Sequence, residues 1–265
     1  MAQQAPVLDF RAVDDVAFAA ERGKLGNIPP TLRLVANRLG PLLETLHLEQ
    51  SGLLPPNPQW IDFDALTDLR SAIIAGKATW SSEGNLRANM MRLTPQPMSN
   101  EWTAFAMEAK RTAVFAGFDS DWAGQLVAAI RELEDNVREH SSAIESGYLA
   151  VRASSGIFEF VVADHGKGVL QPLQEAPDYS HLSNDGEALR ATLSEGVSRF
   201  GVNQGRGFGY RPLFTGLVNR RAALRFRSGS GSLVMDGVTP TLPSAQIGIK
   251  PRCSGLFISA CCFSS

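Results

Sequence analysis

The feature that most constrains the fold is a long amphipathic segment that runs from Asp119 to His140. Its apolar residues are Trp122, Leu126, Ile130, Leu133 and Val137. Steps of three or four positions place these residues on one face of an α-helix. Asp119, Ser120 or Asp121 can accept hydrogen bonds from the first backbone amides and so cap the helix. The segment therefore predicts an N-capped helix of about six turns that packs one face on a core.

Two β-strands follow this helix. Residues 147–152 and 157–163 are rich in β-branched, aromatic and small apolar side chains, and Ser154-Ser155-Gly156 lies between them. Such a pattern predicts a hairpin, whose second strand ends at Asp164. Further along, the sequence predicts a helix over 185–197 within a long connection, a helix after Gly209 to about residue 219, and closing strands at 223–227 and 255–263.

Composition excludes several classes of protein. Of the 265 residues, 44% are hydrophobic and 20% charged, with a net charge of −2. This suits one large domain or two small ones, and no global field would steer the chain to nucleic acid or a membrane. No apolar run reaches the roughly 18 residues that span a bilayer, and no secretory signal is visible. The three cysteines, all between 253 and 262, fit no disulfide framework or zinc motif, which favours reduced thiols in a cytoplasmic protein.

The first 118 residues carry weaker signals. They are expected to form a mixed α/β region that precedes a second domain at 119–265. Prolines at 55, 56 and 58 indicate a loop in this region. Helices are expected over 31–47, 64–76 and 100–117, with short strands at 60–63 and 89–93. No motif indicates the role of this region, so a sensor, a regulatory cap and a dimerisation unit remain open.

Polar residues form a row along the long helix. Glu132, Asn136 and His140 are spaced i, i+4 and i+8, so they follow one line along the flank of the apolar face. The amide oxygen of Asn136 is a hard donor that suits Mg²⁺. A carboxylate one turn earlier, at Glu132, could orient or deprotonate an attacking group. Taken alone, the row is also what a solvated helix flank looks like.

Two glycine-rich segments complete the pattern. In the first, an apolar strand delivers Asp164, which is followed by Gly166 and Gly168. A carboxylate only accepts hydrogen bonds, so it can receive an exocyclic amino group such as adenine N6, and glycines let a flat base approach the backbone. The alternative is a strand end with a glycine turn.

The second glycine-rich segment is Gly205-Arg206-Gly207-Phe208-Gly209, directly before a predicted helix. Consecutive free N–H groups at a helix N-terminus bind phosphate. No Gly-Lys-Ser/Thr follows, so this is not a Walker loop. A flexible loop is the alternative.

The three segments together, in this order, resemble the GHKL ATPase superfamily, which includes DNA gyrase B, the heat-shock chaperone, histidine kinases and MutL. The resemblance covers residues 119–263. It implies a two-layer α/β sandwich of the Bergerat type, with an antiparallel-rich mixed sheet and helices on one face. It also implies ATP and Mg²⁺ as the bound cofactors.

The resemblance also assigns roles to the residues. Asn136 would ligate Mg²⁺, Glu132 would activate water, and Asp164 would hold the adenine amino group. Residues 169–204 would form a mobile lid, so that the stretch up to Gly209 closes over the nucleotide. The base would be lined by Gly166 and Gly168, and the phosphates wrapped by Gly205, Arg206, Gly207, Phe208 and Gly209. For His140 two interpretations stand: a group that faces phosphate, or a packed helix histidine.

Departures from the family pattern narrow the class of protein. Ser254-Gly255-Leu256 replaces the Gly-Thr near the last strand, which puts one adenine contact in doubt. Asn136 followed by His140 is most similar to the anti-sigma-factor serine kinases. The only earlier histidine, His47, lacks a phosphoacceptor box, and the segment after Gly209 is short for a transducer domain. These features argue against a self-phosphorylating histidine kinase and against a gyrase-like machine.

Two functions from different classes remain. One is an ATPase or serine/threonine protein kinase-like regulatory enzyme, which Glu132 favours. The other is a nucleotide-gated module that binds ATP or ADP and a protein partner without turnover. A protein partner or phosphoacceptor is expected for both, and a homodimer is left open.

A basic stretch offers a third idea, nucleic-acid binding. It consists of Arg206, Arg211, Arg220, Arg221, Arg225 and Arg227. With a net charge of −2 for the chain, a solvated helix face together with phosphate-facing arginine at the nucleotide is the favoured interpretation. Nucleic acid is therefore not expected as a partner.

Overall fold

The computed structural model describes residues 6–63, 66–82, 87–96, 99–193, 210–218, 222–236 and 244–264. Its helices are α1 (Phe10–Glu21), α2 (Leu39–Gln50), α3 (Thr67–Ile74), α4 (Asn100–Phe115), α5 (Ser120–His140), α6 (Leu170–Gln174), α7 (Asp185–Thr192) and α8 (Tyr210–Val218). Its strands are β1 (Leu34–Val35), β2 (Ile61–Asp62), β3 (Thr79–Ser81), β4 (Arg87–Arg92), β5 (Tyr148–Ser154), β6 (Ile157–Asp164), β7 (Ala223–Ser228), β8 (Gly231–Met235), β9 (Gln246–Ile249) and β10 (Leu256–Phe263).

One eight-stranded sheet organises these elements, in the order β3-β4-β5-β6-β10-β7-β8-β9. The predicted α/β sandwich is confirmed. The resemblance implies a mixed sheet, but every pairing in this sheet is antiparallel. Part of the reason is that α4 and α5 together connect β4 to β5. The two helices bring the chain back to the end of the sheet at which β4 finishes, so β5 runs antiparallel to β4. A single crossover helix would have brought it to the opposite end and made the two strands parallel.

The predicted long helix is confirmed as α5, and it packs on one face of the sheet with α4. Asp119 is its N-cap, with Oδ1 accepting a hydrogen bond from the Trp122 amide at 2.8 Å. Four residues of the predicted apolar face, Leu126, Ile130, Leu133 and Val137, are at most 3% exposed. They pack with alternate residues of β5 and β6 in one apolar cluster. The α5 face of the sheet is therefore a continuous apolar core.

The N-terminal region covers the opposite face of the sheet. Residues of α1, α2 and α3 form a second buried cluster with Val161 and Ala163 of β6, whereas Phe160 and Val162 point to the α5 side. Strands β3 and β4 of the same region extend the sheet beside β5. The helices therefore lie on both sides of the sheet, and the boundary predicted at 118 falls between α4 and α5.

Two local predictions need correction. The helix expected to begin at Thr31 begins at Leu39, because Leu34 and Val35 pair with the strand at 61–62. The helix expected over 185–197 ends at Thr192, and residues 194–197 lie outside the described part of the chain. Strands β8 and β9 have no counterpart in the prediction. No helix among the described residues is long and apolar enough to cross a membrane.

Charged side chains tie the N-terminal helices to the sheet. Arg225 and Arg227 of β7 are 2% and 0% exposed. Arg225 Nη2 lies 2.5 Å from Asp14 Oδ1 and 2.8 Å from Glu44 Oε1, and Arg227 Nη1 lies 2.7 Å from the same Glu44 oxygen. The interpretation of these two arginines as solvated or phosphate-facing is therefore wrong. They alternate with core residues on β7 because carboxylates of α1 and α2 compensate their burial.

Candidate functional site

Asp164 lies at the carboxyl end of the central strand β6 and is 2% exposed. Its Oδ1 accepts hydrogen bonds from the Ser141 hydroxyl at 2.6 Å and from the Gly166 amide at 2.6 Å. Burial raises the pKa of this carboxyl, and the two hydrogen bonds act against that rise. Because Ser141 follows directly after α5, the hydroxyl bond joins the end of that helix to the end of the strand.

The turn after Asp164 is closely packed against its surroundings. A Cβ on Gly166 would lie 1.9 Å from the Ser141 carbonyl oxygen, and one on Gly168 would lie 2.5 Å from Ser228 Oγ. The Lys167 amide donates to the Ser141 carbonyl oxygen at 2.9 Å. Gly168 also has a φ of +71°, which favours glycine. Contacts within the protein thus require both glycines, and their predicted contact with a base stays a prediction.

A third glycine completes the turn from the neighbouring strand. Gly255 precedes β10 with a φ of +66°. A Cβ there would lie 2.0 Å from the Asp164 carbonyl oxygen and 2.6 Å from the Gly166 amide nitrogen. The segment Ser254-Gly255-Leu256 therefore lies directly against the Asp164 turn.

The predicted row on α5 is present. Glu132 is exposed, while Asn136 and His140 are half-buried. The amide group of Asn136 donates from Nδ2 to the Glu132 carbonyl oxygen at 2.8 Å. Since its donor is held by its own helix, Asn136 presents its acceptor oxygen away from the helix backbone. That is the group which a hard cation would use.

A different glutamate of α5 is buried. Glu134 is 0% exposed and pairs with Arg138 and with Arg131, whose Nη1 lies 2.6 Å from Glu134 Oε2. The Arg131 guanidinium in turn stacks on the Trp102 ring of α4. This ion-pair cluster links α5 to α4 through Arg131 and to the loop before α4 through Arg138, which donates to the Thr94 carbonyl oxygen. Glu132 is exposed on the same helix, one turn before Asn136.

The phosphate-binding segment predicted at Gly205, Arg206, Gly207, Phe208 and Gly209 lies outside the described residues. The helix predicted after it is confirmed as α8. Tyr210, its first residue, packs its ring on Phe214 and Phe226 at centroid distances of 5.7 and 5.1 Å. Burial raises the pKa of Tyr210, and the nearby Asp164 carboxylate raises it further. The packing on Phe226 places the start of α8 against β7.

The first part of the predicted lid is built into the sandwich. Ala188 and Leu189 of α7 are buried in the α5-side core. Asp185 accepts hydrogen bonds from the Ser230 amide at 2.9 Å and from its hydroxyl at 3.1 Å, which ties α7 to the turn before β8. Movement as a lid stays a prediction.

The fit of Mg²⁺ follows from the donor set. Among the described residues, no group of three histidine, cysteine or acidic side chains could enclose a metal ion. Mg²⁺ commonly keeps several waters and takes only one or two protein oxygens beside substrate phosphates. A single amide oxygen at Asn136 is compatible with that kind of site and not with a metal site made of protein groups alone.

Ser141 and Ser228, which fix the turn after Asp164, were not predicted because each reaches the turn from a distant part of the sequence.

Comparisons of the chain with protein-family models, with curated proteins and with solved structures give no match.

Proposed function

We propose that this protein binds Mg-ATP in the manner of the GHKL ATPases, at a site between the end of α5 and the end of β6. The observation that carries the proposal is the 2.6 Å hydrogen bond from Ser141 to Asp164. It links the helix that carries Asn136 to the strand that delivers the buried carboxylate. Two of the three sequence segments that resemble this superfamily thus lie side by side, as one nucleotide site requires.

Asp164 would recognise the adenine base. Ser141 and Gly166 occupy acceptor positions on one of its oxygens. An ionised carboxylate has about four acceptor positions, so capacity remains for the exocyclic amino group of adenine. Guanine carries a carbonyl oxygen at the equivalent position, which a carboxylate would repel. The proposal therefore includes a preference for ATP over GTP.

Asn136 would hold Mg²⁺ through its amide oxygen, and the metal, when bound, would neutralise phosphate charge. His140 lies one turn further along α5 and Glu132 one turn earlier. The phosphates themselves would be wrapped by the segment from Gly205 to Gly209, for which the support is the sequence alone. A lid formed by residues 169–209 would have to accommodate the docked helix α7.

We assign turnover to Glu132, which would accept a proton from water or from a hydroxyl of a protein substrate. Its exposure on the flank of α5 leaves it accessible to an attacking group. The alternative is a module that binds nucleotide and a protein partner without hydrolysis. ADP release from the wild-type protein and from Glu132→Gln separates the two. An enzyme releases ADP and loses that release in the variant while it keeps its affinity for ATP, whereas a binding module releases no ADP in either form.

The test of binding is calorimetry with ATP and GTP, each with Mg²⁺ and with a chelator. We expect ATP to bind more tightly than GTP by at least about tenfold, since the wrong base loses a charge-assisted hydrogen bond. We also expect chelation to weaken the binding of ATP. Equal affinity for the two nucleotides would contradict the role of Asp164, and absence of binding would contradict the proposed function.

A further inference from the structure

A pair of stacked histidines joins the N-terminal region to the candidate site. His47 of α2 is fully buried, and its ring lies 4.2 Å from the ring of His165, with only 9° between their planes. His165 directly follows Asp164. The stack therefore connects the N-terminal helix to the turn on which the proposed adenine contact depends.

Ser254 bridges the two rings. Its carbonyl oxygen can only accept, so the His47 Nε2 that lies 2.8 Å away carries a proton and donates it. The Ser254 hydroxyl lies 2.7 Å from His165 Nδ1 and 2.9 Å from Ser51 Oγ. Ser51 donates its own proton to the His47 carbonyl oxygen. The other ring nitrogen of His165, Nε2, lies 3.1 Å from Gln50 Oε1. Hydrogen-bond contacts thus join His47, Ser51, Ser254 and His165.

The sheet fixes the position of α2. A Cβ on Gly40, near the start of α2, would lie 2.3 Å from Ser259 Oγ of β10, so helix and strand are in close contact. The His47 ring also packs against the Phe257 ring of β10 at 5.7 Å. His47 is therefore a fixed point to which Ser254 is attached.

Ser254 is followed by Gly255, which lies directly against the backbone of Asp164 and Gly166. A shift of Ser254 away from His47 would move Gly255 and loosen the contact that shapes the turn. A change in α2 can therefore shift the backbone of Asp164 through Ser254 and Gly255, although α2 makes no direct contact with the carboxylate in this chain of contacts.

We propose that His47 is a positioning residue for the Asp164 turn, so that the N-terminal region sets the affinity of the site for adenine nucleotides. The regulatory part rests on the proposed function, whereas the positioning of the turn does not. A change in the N-terminal region that loosens the packing of α2 on the sheet would lower nucleotide affinity, and this is the regulatory role of the region.

The test compares three variants. His47→Phe keeps a ring of similar size for stacking and removes the hydrogen bond to Ser254, whereas His47→Gln keeps a donor. Leu42→Ala is the matched control: Leu42 is fully buried on the same helix, about 140° around it from His47. For each protein, hydrogen exchange of the amides from residues 164 to 168 is measured by mass spectrometry, and ADP and ATP affinities by calorimetry.

We expect His47→Phe to speed exchange in the turn and to weaken ADP and ATP by the same factor, about fivefold, because both nucleotides share the base. His47→Gln should restore most of both losses. Leu42→Ala should lower the stability of the protein and leave exchange in the turn unchanged.

Unchanged exchange in His47→Phe would overturn the positioning role, and so would equal effects in His47→Phe and Leu42→Ala. Faster exchange with unchanged affinity would overturn the regulatory role. If the wild-type protein binds no adenine nucleotide, the Mg-ATP proposal fails, while the exchange data still decide whether His47 holds the turn.

Discussion

The two faces of the sheet are stabilised in different ways. On the α5 side, the helix buries an apolar stripe against Phe158, Phe160 and Val162. On the α2 side, buried charges and polar groups interrupt the apolar packing, with Glu44 between two arginines and His47 against Ser254. Where α5 packs on the sheet, the energy of the core depends on area and shape, whereas the α2 side adds contacts to the sheet that depend on specific partners.

The two faces should respond differently to a small displacement of the elements that pack on them. Apolar packing tolerates small displacements, because many weak contacts change a little. A buried charge pair or a directed hydrogen bond has one satisfactory arrangement, and its loss leaves an uncompensated group. On the α2 face, a displaced element would therefore break specific contacts outright, whereas on the α5 face it would weaken many contacts slightly. The α2 face also contacts the Asp164 turn, through Ser254 and His165.

The largest expected effect is on the α2 face. Glu44→Ala should lower the free energy of unfolding by about 3–5 kcal/mol, because it leaves two buried guanidinium groups without their common carboxylate. Arg227→Met and the double variant complete a double-mutant cycle. The loss in the free energy of unfolding should be smaller for the double variant than the sum of the losses for the two single variants. Urea denaturation measures all three.

The matched double-mutant cycle on the α5 face combines Leu133→Ala with Val151→Ala. Each residue is at most 1% exposed, and each substitution should cost energy through a cavity rather than an unpaired charge. A cost of Glu44→Ala below about 1 kcal/mol, in the range of exposed ion pairs, would contradict the distinction between the two faces.

The next effect concerns the α5 side. Asn136→Ala should remove the Mg²⁺-dependent part of ATP binding, a loss of at least about tenfold, and leave the affinity measured in chelator unchanged. The reason is that the amide oxygen contacts the metal and not the base. Calorimetry with and without Mg²⁺ checks this. A variant that keeps the wild-type difference between the two conditions would show that the metal is held elsewhere.

The smallest expected effect is the pH dependence of stability, which should have opposite signs for the two buried carboxyl groups of Asp164 and Asp14. Burial raises the pKa of Asp164, so its contribution to stability is present below the ordinary carboxyl pKa and is lost as pH rises through the raised value. Burial acts in the same direction on Asp14, but Arg225 and Lys250 outweigh it and lower the pKa. The contribution of Asp14 is present above the ordinary pKa and is lost as pH falls through the lowered value.

Urea denaturation of Asp164→Asn and Asp14→Asn, from roughly pH 3 to pH 7 across the ordinary carboxyl pKa of about 3.9, measures both trends. Relative to the wild-type protein, Asp164→Asn should gain stability as pH rises. Asp14→Asn should lose stability over the same interval. Parallel curves for the two variants would be inconsistent with opposite shifts.

The sequence predicted the α5 face well and the α2 face poorly, for a physical reason. An amphipathic helix such as α5 shows its orientation through its apolar period. Every residue of α2 from 39 to 48 is buried, including Glu44 and His47, so the helix has no polar face to reveal its environment. Arg225 and Arg227 likewise suggested a surface, because the carboxylates that neutralise them lie far away in the chain.

The candidate site divides in the same way. Asp164 was identified from the strand that ends at it, and Asn136 from its spacing to Glu132 and His140. The groups that hold the turn, Ser141 and Ser254, make their contacts only after folding. Sequence spacing therefore identifies groups that share an element, whereas contacts between elements require the three-dimensional structure.

The central claim is that the buried carboxylate at the end of β6 recognises adenine. Calorimetric titration of ATP and GTP, with Mg²⁺, into the wild-type protein and Asp164→Asn tests it most directly. We expect the substitution to weaken ATP by at least about tenfold, or roughly 1.5–3 kcal/mol for the charge-assisted hydrogen bond, and to remove the preference for ATP over GTP. Equal ATP affinity in the two proteins, or an unchanged ratio of ATP to GTP affinity, would contradict the account.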